Sequence, residues 1–110
     1  MASAENRKHP RITINQLVEL DFNRENFVRA EAIDLSAGGL LCRTDEYCEP
    51  YVVVFIMMTL KLKKGERIIK CEGVVLRCDK KGDLWETAIN ITSMDTSSEK
   101  ILKSFLAEHD

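Results

Sequence analysis

Two short segments carry side chains suited to holding an anionic ligand with planar bases. The first is Arg7-Lys8-His9-Pro10-Arg11. Pro10 has no backbone N–H and pushes His9 toward an extended conformation, so the segment is extended or turned rather than helical. Arg7 and Arg11 stand four residues apart, an even spacing that aims both guanidiniums to one side of an extended chain. Each guanidinium offers paired planar donors that suit a phosphate or the O6/N7 edge of guanine, and it also stacks on base planes. Taken alone, the plainer reading is a solvated basic tail. The second segment is Asp34-Leu35-Ser36-Ala37-Gly38-Gly39. Asp34 can accept from the N1–H and N2 amino groups of a guanine, and the Ser36 hydroxyl can donate or accept beside it. Gly38 and Gly39 permit a tight turn and a close approach of ligand to backbone. Alone, this segment reads more simply as a hairpin turn in which Asp34 and Ser36 cap their own backbone.

Other chemistries find less support. The cysteines at 42, 48, 71 and 78 form no Cys-x-x-Cys pair, and His9 and His109 sit at opposite ends of the chain. No metal site is therefore expected, and the thiols read as small hydrophobes in or beside strands. Neither a Gly-x-Ser-x-Gly elbow nor a Walker-type phosphate loop occurs, and the carboxylates are scattered, so no catalytic residue is expected and the chain is read as a non-enzyme. With 16 Lys+Arg against 18 Asp+Glu the net charge is −2, which supplies no bulk attraction to nucleic acid or to an anionic membrane. An anion must be met by a local cluster. The longest apolar stretch, Tyr51 to Leu60, is too short to span a membrane, and residues 1–9 lack the apolar core of a secretory signal, so a cytoplasmic location is expected.

The elements that must position the two segments follow from hydrophobic period. At 110 residues the chain is read as one domain: an arm at 1–11, strands over 17–94 and a helix over 96–108. Val18, Leu20 and Phe22 alternate with Glu19 and Asp21, and the stretch ends at the turn Asn23-Arg24-Glu25-Asn26. A second strand is predicted from Phe27 to about Leu35, with Val28, Ala30 and Ala32 on one face, and a third from Leu40 to Arg43. The fourth enters at Tyr51 and decays into alternation at Leu60-Lys61-Leu62-Lys63. In Arg67 to Cys78 the outward charges change parity between Glu72 and Arg77, which predicts a bulge near Gly73 with Ile69, Cys71, Val74, Leu76 and Cys78 facing in. A sixth strand over about Leu84 to Ser93 places Trp85, Thr87, Ile89 and Ile91 on one face. Thr96-Ser97-Ser98-Glu99 then fits a capping box, and Ile101, Leu102, Phe105 and Leu106 follow at helical spacing. The pattern predicts an antiparallel barrel or open sheet capped by a helix.

An Arg-x-x-x-Arg arm just before a small barrel, with Asp-x-Ser-x-x-Gly after the second strand, resembles the PilZ family of cyclic-di-GMP receptors. Arg7 and Arg11 match the first motif, and Asp34, Ser36 and Gly39 match the second. Gly73-Val74-Val75-Leu76-Arg77 is similar to a Gly-x-Val-x-Arg stretch common in the family. The resemblance implies a mainly β fold, a six-stranded antiparallel barrel with a C-terminal helix. It also implies cyclic-di-GMP as ligand, with no other cofactor. By this analogy Arg7 and Arg11 clasp phosphate and the outer edge of guanine, with Lys8 beside them. Asp34 and Ser36 read the inner edge, and Gly38 and Gly39 keep the turn open. Ligand orders the arm and changes the surface offered to an unidentified protein effector, with the receptor a monomer or homodimer. The rival within the same fold is an adaptor that works through protein contact without nucleotide. A barrel for single-stranded nucleic acid would want aromatics in a basic groove, and the chain is only 6% aromatic. Two departures stand out. Many members carry Gly and Phe where this chain places Ala88 and Ile91, which implies altered core packing. Asn6 stands where some carry a further Arg that accompanies a stacked pair of ligands, which implies one ligand molecule per site.

Two surface features need an occupant or a reason. Lys61, Lys63, Lys64, Arg67 and Lys70 gather on one hairpin, where lysines on strand edges discourage sheet-to-sheet pairing. Val53, Phe55 and Met57 share the face opposite Val54, Ile56 and Met58. One face belongs to the core, and the other must be covered by the helix or by another protein, the helix being the expected cover. Trp85 is expected at the core or its rim.

Overall fold

Period-two alternation is realised as strands almost throughout the chain. The computed structural model describes residues 12–21 and 27–109. Among these residues the chain forms β1 (Ile12–Asp21), β2 (Phe27–Leu35), β3 (Gly39–Thr44), β4 (Val53–Leu62), β5 (Gly65–Lys81), β6 (Leu84–Met94) and α1 (Thr96–Glu108). The strands close into a six-stranded barrel in the order β1-β2-β3-β6-β5-β4, with every neighbouring pair antiparallel. Inward positions fill the lumen: Val18 and Leu20 from β1, Val54, Ile56, Met58 and Leu60 from β4, and Val75 and Ile89 from β5 and β6 are all buried.

Several local expectations are corrected. β1 begins at Ile12 rather than Leu17, and β4 begins at Val53 rather than Tyr51. In β5 the buried series is Ile69, Cys71, Gly73 and Val75, so Val74 does not face the core and Leu76 is 51% exposed. The β5–β6 ladder slips twice. At Gly73, as expected, Glu72 opposes Ser93 and Gly73 opposes Ile91, so that Thr92 of β6 is the extra residue. At Leu76, Val75 opposes Ile89 and Arg77 opposes Ala88, which is where β5 itself changes phase. Gly73 is required for a different reason. A Cβ there would stand 2.7 Å from both the Asn90 carbonyl oxygen and Ile89 Cγ2, so only a glycine lets β6 approach so closely. Gly73→Ala is expected to cost about 1–3 kcal/mol through overpacking, read as a lowered midpoint in chemical denaturation. A variant as stable as the parent would show that β6 yields freely.

The helix start is also corrected. Asp95, not Thr96, is the N-cap, and its carboxylate accepts from the Ser98 N–H at 2.6 Å. That frees the buried Ser98 hydroxyl to accept from the Lys70 N–H at 3.0 Å, which ties the helix to β5. The helix inserts Leu102 and Phe105 into the core at the barrel end where β6 finishes. It does not cover the outer wall of β4, where Val53 and Phe55 stay 49% and 41% exposed. Beyond Met58 and before Cys71 the β4–β5 hairpin has no further strand partner among the described residues, so the lysines there do lie on strand edges.

The other barrel end is closed by the β3–β4 loop. Cys48 is buried there, its backbone N–H donates to Cys78 Sγ at 3.3 Å, and the buried hydroxyls of Thr44 and Thr87 meet at 3.3 Å. Trp85 sits half-buried at the rim, edge-on to Tyr47 with centroids 5.0 Å apart and Lys80 4.9 Å above its ring. All four cysteines are free thiols, and among the described residues no group of His, Cys, Asp or Glu is arranged to hold a metal. Burial raises the Cys42 and Cys48 thiols above their usual range and pushes Cys71 up to about 12. The thiolate is the reactive form. At pH 8 an alkylating reagent is therefore expected to reach half-exposed Cys78 first and the other three only after unfolding, counted by mass spectrometry of the intact chain. Linkage sets the sign of a second effect. The buried thiols keep their protons where unfolded thiols, near 9.0, lose them. Stability is thus full below about pH 9 and falls as pH rises through the folded values.

Candidate functional site

The Asp34 segment lies at the barrel end that α1 closes, and a bulge decides which way its carboxylate faces. Val28, Ala30 and Ala32 are buried, so unbroken alternation would bury Asp34 as well. Instead Ala32 opposes Cys42 and Asp34 opposes Leu41, which leaves Ile33 as an extra residue on β2. The slip turns Leu35 inward, fully buried against Leu40, and leaves Asp34 half-buried on the outer wall. A parity conflict between Ala32 and Leu35 was the signal for this bulge in the sequence.

Ser36 builds the turn. Its hydroxyl accepts from the Gly38 N–H at 3.3 Å and the Gly39 N–H at 3.2 Å, while its own N–H donates to the Gly39 carbonyl at 2.9 Å. The residue is buried, and the self-capped turn is what the structure shows for it. Gly38 is fastened from the other side, its carbonyl accepting from the Ile91 N–H at 3.0 Å. At Gly39 a Cβ would meet the Ile89 carbonyl oxygen at 3.1 Å, so the start of β3 lies close against β6.

Two neighbours complete the surroundings. In β1, Thr13 opposes Asp34 and Ile12 opposes Leu35, so the first residue of the first strand stands beside the turn. On the other flank a cavity between the turn and α1 is lined by Ala37, Thr92, Ser93, Glu99 and Lys103 among others. Sequence reading did not single out Lys103. Its signal was the four-residue spacing from Glu99, which puts both on one helix face. Across the outer wall, Asp34, Leu41, Ala88 and Arg77 occupy one continuous cross-strand row. Ala88 thus departs from the family pattern on the outer wall, not in the core. Arg77 in that row pairs with Asp79 at 2.6 Å.

The structure brings Asp34, Ser36, Gly38 and Gly39 together in one turn. Arg7, Lys8 and Arg11, together with Asn6, lie outside the described residues. What the described part offers is a carboxylate on the outer wall, a Ser36-held turn and, beside it, a cavity that Glu99 and Lys103 line.

The architecture is a small closed antiparallel barrel with a Ser36-held turn between its second and third strands and a helix closing one end. The PilZ domain family model matches residues 5–108, and the chain belongs to that family. Among solved structures, the Bacillus subtilis inhibitor of motility (MotI/DgrA) superposes with a TM-score of 0.81 at 18% identity, over 94% of this chain and 50% of that one. The PilZ domain of Escherichia coli YcgR with cyclic-di-GMP superposes with a TM-score of 0.75 at 11% identity, over 94% of this chain and 91% of that one. The K. pneumonia MrkH complex with cyclic-di-GMP gives 0.70 at 14% identity, over 94% of this chain and 52% of that one. The chain therefore spans about half the length of the motility inhibitor and of MrkH. No curated protein sequence matches it. No helix among the described residues is long and apolar enough to cross a membrane.

Proposed function

We propose that the chain is a cytoplasmic receptor for cyclic-di-GMP that passes its signal on by protein contact and performs no catalysis. The observation that carries this reading is the register of β1. Ile12, bonded to Arg11, pairs with Leu35, so the Arg-x-x-x-Arg arm leads into the barrel beside the Asp34 turn. Arg7 is five residues before Ile12, within about 17 Å of chain reach. Both motifs can therefore address one ligand.

On this reading Arg7 and Arg11 hold a phosphate and the outer edge of a guanine, with Lys8 adding charge. Asp34 accepts from the N1–H and N2 groups on the inner edge. Ser36 acts through the turn it holds, and Gly38 and Gly39 let the base approach the backbone. Ligand orders the arm against the barrel and so changes the surface a partner meets. Support comes from the family membership and from the solved YcgR and MrkH structures, whose ligand is cyclic-di-GMP. Calorimetric titration with cyclic-di-GMP tests it. Saturable heat is expected, and an absence of heat would leave the nucleotide-independent adaptor as the better account.

A further inference from the structure

The outer wall of β4 keeps an apolar strip that the fold leaves uncovered. Tyr51, Val53 and Phe55 are 81%, 49% and 41% exposed, and Met57 continues the line half-buried. Tyr51 holds a positive φ of 69°, a strained conformation for an aromatic residue, and still presents its ring to solvent. From Val53 to Met57 the strip runs about 13 Å at a strand's rise, with Tyr51 in the turn just before it. Here β4 is paired on both sides, with β1 over Phe55 to Met58 and with β5 from Val53 onward. A partner docking on this strip must use side chains, because from Phe55 to Met58 no strand edge is free to extend.

Carboxylates frame the strip. Glu72 on β5 lies opposite Phe55, Glu19 on β1 lies opposite Met57, and Glu49 precedes Tyr51 by two residues in an exposed loop. None of the three takes part in an ion pair among the described residues. Lys70, opposite Met57, marks the far end. Of these framing charges three are carboxylates and one is a lysine, so a basic partner complements the strip better than a second copy of the same face. An amphipathic helix of about 9 residues or more matches the length, laying an apolar stripe on Val53 and Phe55 and basic flanks on the acidic frame.

We propose that the outer wall of β4 is the docking surface for a basic amphipathic helix of a partner protein. The proposal goes beyond the nucleotide reading and does not rest on it. In the closed strand order β1 stands between β4 and β2, the strand that carries Asp34, so the strip and the Asp34 turn belong to different strands of the wall.

The test places the photoreactive residue p-benzoylphenylalanine at position 55, in the cells that make the protein, with Ile68 as the control position because it is exposed on the hairpin beyond the strip. Adducts at 55 are expected to map to a partner segment with apolar residues at helical spacing and flanking Lys or Arg. Their yield should fall at least tenfold when Val53→Lys is added, and position 68 should give at most a tenth of the parent yield. Adducts to a second copy of the chain, adducts to an acidic segment, equal labelling at 68, or no adduct would each overturn the proposal. The Val53→Lys protein should keep the parent's melting transition and its heat with cyclic-di-GMP, so failure here is separable from failure of the nucleotide reading.

Discussion

Replacing Phe105 by alanine should destabilise the protein by about 3–5 kcal/mol, the usual cost of emptying an aromatic site in a packed core. Phe105 is 1% exposed and, with Leu102, is how α1 enters the core at its end of the barrel. It also braces the helix terminus: its ring packs on His109 with centroids 4.3 Å apart, and its carbonyl stands 2.9 Å from His109 Nδ1. A domain of this size has of the order of 5–15 kcal/mol in total, so the loss is about a fifth of it or more. At about 4 °C or more per kcal/mol, the thermal midpoint should drop by at least about 12 °C. Lys100→Ala, an exposed position on the same helix, should shift it little. A small shift for Phe105→Ala would mean that α1 rests on the barrel without sealing it.

How much of this could be read in advance depended on whether the cause was local. Alternation in Val18 to Asp21 and in Leu60 to Lys63 specifies strands because the two faces of a strand meet different solvents. The six strands were legible for that reason, the closing helix from the helical spacing of Ile101, Leu102, Phe105 and Leu106, and the turn at Ser36 to Gly39 from its paired glycines. The bulge on β5 was half legible. Charge parity pointed to a phase change between Glu72 and Arg77, and the ladder does slip beside Gly73, but there the extra residue is on β6, and the slip that turns β5 itself lies at Leu76. Contacts between distant residues leave no mark in one sequence window. Nothing local says that α1 fills the barrel end instead of shielding Phe55, or that Ser98 rather than Thr96 gains from the cap at Asp95. At the candidate site the residue types were legible and their division of labour was not. Ser36 looked like a ligand-reading hydroxyl, whereas two backbone N–H groups already occupy it.

That division of labour predicts how the ligand site should respond to mutation. Arg7→Ala and Asp34→Ala should each weaken cyclic-di-GMP binding by at least about tenfold, because each removes a charge-assisted hydrogen bond of about 1.5–3 kcal/mol. If one guanine is gripped on its outer edge by the arm and on its inner edge by Asp34, neither contact keeps full value without the other. The double variant should then lose less than the product of the two single losses, a coupling that calorimetry on all four proteins measures. Ser36→Ala should behave differently. Its loss leaves the Gly38 and Gly39 N–H groups without their acceptor, so it should lower thermal stability as well as affinity. Strictly independent effects of Arg7 and Asp34 would place the two motifs on separate ligand groups. Unchanged affinity in both would remove the arm and the turn from the site altogether.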